Sequence, residues 1–106
     1  SNARPDRTEP ATENLLPGDP LSLTSGSPTV TVTEPAHGRS TNDTVVFRNV
    51  NGSPGGLVFS LFENTSGFSI TVVDTNSYSF NCGSNATVTE KSGGMFVTAG
   101  PVTLTP

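Results

Sequence analysis

A chain of 106 residues with 31% apolar side chains, 11 Gly and 9 Pro can bury one modest core, with little left for helices packed on a sheet. Its net charge of −4, with basic residues only at Arg4, Arg7, Arg39, Arg48 and Lys91 and no two adjacent, argues against nucleic acid as a partner. No apolar run approaches a membrane span, and Cys82 is alone, so no intrachain disulfide can form.

Ser1-Asn2-Ala3 reads as a remnant of tag cleavage, and residues 1–20 together as an extended, flexible linker carrying Pro5, Pro10, Pro17 and Pro20. Only Leu15 and Leu16 could serve a core there; the alternative is that they dock as an arm on a neighbouring subunit. A single folded domain is expected over 21–106. Leu21 and Leu23 alternate with Ser22 and Thr24, and Ser25-Gly26-Ser27-Pro28 is a turn. Residues 29–33 alternate Thr and Val strictly, which predicts a strand with Val30 and Val32 on one face. Pro35 ends it.

A second strand is predicted over 44–50, with Val45 and Phe47 on its core face and Val46 implying partial cover on the other. Residues 51–56, Asn-Gly-Ser-Pro-Gly-Gly, form a loop. The run 57–62 is the most apolar of the chain; it lacks a helical charge pattern, which favours a strand. Phe68, Ile70 and Val72, then Tyr78, Phe80 and Cys82, alternate with polar residues on either side of Asp74-Thr75-Asn76-Ser77. That pattern predicts a β-hairpin. Short strands are predicted at 87–89 and 95–98, and Val102 and Leu104 could close the sheet or begin a connection. Six to seven short strands at spacings near ten residues define an all-β small barrel or roll.

Several residues in order carry a resemblance: Ala36-His37-Gly38, then Asn42-Asp43-Thr44-Val45-Val46-Phe47, then Asp74-Thr75-Asn76-Ser77-Tyr78, then Gly93-Gly94. They resemble a β-barrel module of phage and prophage structural proteins, of the kind likened to the first catalytic cysteine half-domain of ubiquitin-activating enzymes (FCCH-like). The chain departs from that pattern in having Asn42 before Asp43 where Gly is usual; Asn also tolerates a left-handed turn. The resemblance spans about 21–98. It implies a scaffolding role with contact surfaces and no ubiquitin chemistry, in a tail, fibre, adaptor or capsid-associated protein. His37, Gly38, Asp43, Asp74, Asn76 and Tyr78 are then turn and structural positions.

The residues themselves offer few candidates for chemistry. His37 could be imagined as a base with Ser40 and Asp43; a turn histidine bonded to backbone is the favoured reading. Cys82 continues the Tyr78 and Phe80 face as a small core residue, with no cation near in sequence to activate it. Glu34, Asp43, Glu63, Asp74 and Glu90 flank turns without the ligand spacing of a Ca²⁺ loop. Three Asn-x-Thr/Ser triplets begin at Asn42, Asn64 and Asn85, which chance explains in a chain that is about one quarter Ser and Thr. No catalytic residue, metal site or cofactor is assigned. The possible contact surface is Leu57, Phe59, Leu61 and Phe62. The partners expected are other virion subunits or neighbouring domains of a larger chain, with the subunit number left open. The alternative is a bacterial surface module that binds a host glycan or protein.

Overall fold

The computed structural model describes residues 13–102. Its nine strands form two antiparallel sheets in an open roll, a sandwich-like arrangement rather than a closed barrel, and the count exceeds the six to seven predicted. β1 (Asn14–Leu15), β9 (Thr98–Gly100), β4 (Thr44–Arg48) and β5 (Phe68–Ser69) make one sheet in that spatial order. The other has five strands in the order β6 (Thr71–Asp74), β7 (Ser77–Asn81), β3 (Thr29–Thr33), β2 (Leu21–Leu23) and β8 (Glu90–Ser92).

Period-two patterning places the core between the sheets. Val30 and Val32 of β3 face inward while Thr29 and Thr33 stay outside. Val32 pairs with Tyr78 and Val30 with Phe80, so the inward residues of β3 and β7 align in one layer. Val45 and Phe47 face them from β4, and the Phe47 ring stacks on Phe80 at 5.2 Å between centroids. Val46, on the far face of β4, is buried as well.

The predicted hairpin is present as β6–β7, but its first arm is divided. Phe68 and Ser69 pair with β4 in one sheet, whereas residues from Thr71 onward pair with β7 in the other. Ile70 is the buried corner, exchanging main-chain hydrogen bonds with Asn42 and Asp43 (2.8 and 3.0 Å). One extended run thus serves both sheets.

Four expectations are corrected. Residues 13–20, assigned to the linker, carry β1 and bury Leu16 and Pro20, because Leu16 finds both an apolar pocket and the Val97 carbonyl (2.9 Å). The run 57–62 is not a strand: Phe59–Phe62 is a 3-10 turn, after a shorter one at Pro54–Gly56. Gly55 and Gly56 both take positive φ, which curls the chain before it could extend. Residues 87–89 do not pair as a strand, because Thr87 and Thr89 direct their hydrogen-bonding groups to Gly55 and Ser25. The strand expected over 95–98 begins only at Thr98, since Met95 and Phe96 face solvent. Leu104 and the segment 1–12 lie outside the described residues.

Candidate functional site

The densest polar chemistry lies where β3 ends. Glu34 follows the last Thr of β3, and Pro35 stops the ladder. Ala36 then takes φ 52° and Gly38 φ 65°, left-handed values that fold the chain back over β7. The reversal brings Arg39 onto Glu34, with Nε to Oε1 at 2.9 Å and Nη2 to Oε2 at 3.3 Å. Tyr78 donates its hydroxyl to the same Oε1 at 2.6 Å, and Asn14 of β1 donates to Oε2 at 3.2 Å. Arg39 Nη2 also reaches the Ala99 carbonyl of β9 at 3.3 Å. Glu34, Arg39 and Tyr78 are all buried, so these contacts clip the two sheets together through one carboxylate.

The charge states follow from that packing. Burial works against the Arg39 charge, but its hydrogen bond and ion pair with Glu34 outweigh it and leave the guanidinium pKa raised. Burial, reinforced by the Glu34 carboxylate, pushes the Tyr78 phenol well above its ordinary range.

His37 lies edge-on to the Tyr78 ring, with centroids 5.2 Å apart. Its Nδ1 accepts the Arg39 amide N–H at 2.9 Å, which puts the proton on Nε2, and Nε2 donates to the Asp74 carbonyl at 2.7 Å. Both ring nitrogens are therefore committed to main chain, in the manner of a turn histidine. The Asp43 carboxylate accepts the Ser40 amide at 2.8 Å, closing the turn between them.

The residues of the Asp-x-Asn-x-Tyr motif each hold part of this corner. Asp74 accepts the Asn76 amide and the Ser77 hydroxyl, both at 2.8 Å, and these bonds lower its pKa. Asn76 in turn accepts the Ala36 amide at 2.9 Å, steadying the left-handed residue. Tyr78 anchors Glu34. Asp43 and Asn42 (φ 79°) stand in the next turn, against Ile70. Glu34 and Arg39, the centre of the cluster, carry no motif signal; the available clue is an opposite-charge pair bracketing a Pro/Gly reversal.

Beside the cluster is a cleft of about 570 Å³, lined by Ala36, His37, Gly38, Arg39, Val72, Asp74 and Thr75. Arg39 contributes no free charge, because its side chain is fully buried against Glu34. Among the described residues no group of three or more His, Cys, Asp or Glu side chains could hold a metal ion. Glu63 and Glu90 instead accept the Val50 and Gly55 amides at 2.8 and 2.7 Å. Cys82 is buried, and its thiol donates to the Ser84 carbonyl.

The four residues read as a contact surface do not share one. Phe62 is wholly in the core, and Leu57 and Leu61 are half-buried against it. Only Phe59 is exposed, together with its neighbour Val58. Val88, also exposed, lies close to Gly56. Val58 and Val88 lie outside the four residues expected there, Val88 in a segment whose alternation predicts a strand.

The fold is thus a two-sheet antiparallel roll closed by a buried polar clip. No family model and no curated protein matches the chain, so the FCCH-like likeness stays one of residues alone. Among solved structures, the chain is similar to a phage phi92 endosialidase, with a TM-score of 0.64 and 23% sequence identity. The likeness covers 84% of this chain and 12% of that one, and what the two share is the fold.

Proposed function

We propose that this chain is a non-enzymatic structural module of a phage or prophage virion protein, such as a tail, fibre or adaptor component, working through protein contacts. The observation that carries the reading is the size of the likeness: nearly all of this chain corresponds to a small part of a much longer phage protein. A unit used this way supplies shape and surface. Its polar residues serve to hold loops, as His37, Asp74, Asn76 and the Glu34–Arg39 pair do. The apolar side chains it offers for contact are Val58, Phe59 and Val88 and, more exposed still, Leu15, Met95 and Phe96.

A second reading is favoured by one observation, the cleft beside His37. Its volume falls within the ~300–1,000 Å³ of small-ligand pockets, and Val72, Thr75 and Asp74 could face a neutral sugar. Glycan-array binding by the intact chain separates the two. The assembly reading expects no binding to any glycan. Saturable binding that is lost on Thr75→Trp, a change that fills the cleft, would replace it with a host-glycan module.

A further inference from the structure

The described chain begins and ends at one place. Asn14 of β1 pairs with Ala99 of β9, and a Cβ added to Gly100 would stand 3.1 Å from the Glu13 Cα. A two-residue strand is a weak hold, and a ladder so short frays at its end. Arg48, the last residue of β4, reaches across this junction. Its Nη1 donates to the Glu13 carboxylate at 3.0 Å, and Nη2 donates to the carbonyls of Pro101 (3.3 Å) and Val102 (3.5 Å). One guanidinium thus grips the incoming and the outgoing segment from a third strand, using the fork of donors that lysine lacks.

We propose that Arg48 is a clasp that joins chain entry to chain exit, so that the module hangs from a larger protein by a single point and projects its far pole outward. This builds on the virion-module reading. The poles follow from the topology. Asn14 bonds Glu34 and Arg39 bonds Ala99, which sets the junction beside the Thr33 end of β3. Five residues of strand at ~3.3 Å each carry the chain roughly 16 Å from there. At that distance lie the turn after β2 and the segment 82–89, tied to each other by the Gly26–Ala86 bond and to the Pro54–Gly56 turn by the Thr87–Gly55 bond. Val88, between Thr87 and Thr89, is exposed at this far end. The ion pair is partly solvated, so it adds little to stability; what it governs is the position of the two ends.

Electron–electron double resonance on the full chain tests the clasp. Leu15→Cys and Val102→Cys give two exposed label sites, and the buried Cys82 is spared under native conditions. The expected result is one narrow distance distribution, lost on Arg48→Met and partly retained with Arg48→Lys, which keeps the charge on Glu13 without the fork. Unchanged near-ultraviolet circular dichroism of Tyr78 verifies that each variant is folded. A distribution as narrow in Arg48→Met as in the parent, or a broad one in the parent itself, overturns the proposal. Either result leaves the glycan test untouched, so the two readings fail separately.

Discussion

Glu34 is the residue on which the polar corner depends, since it accepts from Arg39, Tyr78 and Asn14 at once. A buried pair of this kind adds little net stability over apolar replacements, but half of one is costly, because a charge is left without its partner. Arg39→Met is therefore expected to lower the urea unfolding free energy by about 3–5 kcal/mol. The double variant Glu34→Met/Arg39→Met should lose less than Arg39→Met alone. A double variant that simply adds the two losses would mean the pair is not coupled. At this scale the sequence was partly legible. His37, Asp74, Asn76 and Tyr78 stood out because turn chemistry and alternation mark them locally. Glu34 and Arg39 did not, because their pairing depends on a left-handed Ala36 that no propensity favours.

Among the elements, strands with clean alternation were legible and segments held by side chains were not. β3 matches its Thr/Val pattern residue for residue, whereas 87–89 looks like a strand and is instead a brace for the Pro54–Gly56 turn. β1 was hidden by the surrounding prolines; its partner is more than eighty residues away in sequence, in β9. The 3-10 segment is not legible, because a short apolar run carries no period to tell a strand from a turn. Gly55 is the position that enforces the curl. It combines φ 61° with an approach in which an added Cβ would meet Leu23 Cδ2 at 2.7 Å and Ala86 Cβ at 2.9 Å. Gly55→Ala should then cost more than the ~1–2 kcal/mol of left-handed strain alone. Gly83→Ala, at φ 90° with nothing within 4 Å, should show that strain and no more. Thermal melts of the two variants compare them directly, and equal losses would mean that the Leu23–Ala86 contact yields freely.

For the whole molecule, composition and strand spacing were enough to predict an all-β roll. They could not show that one extended run would pass from sheet to sheet at Ile70, since that depends on which strands find each other. Nor could they show that the sheets are joined by a buried clip. That corner is a closed brace between two sheets. Its state can be read through Tyr78, the chain's single tyrosine in the absence of tryptophan. A phenol whose folded pKa is raised stabilises the fold fully below the ordinary tyrosine pKa of ~10 and loses that contribution as the pH climbs above it, because the unfolded chain ionises first. The decisive measurement is an alkaline titration followed at once by phenolate absorbance and far-ultraviolet circular dichroism. Tyr78 is expected to stay protonated through pH ~10 and to ionise only as the sheet signal is lost, the two curves coinciding. Phenolate appearing in the ordinary range while the sheet signal is intact would contradict it, and would mean that solvent reaches the corner in the folded protein.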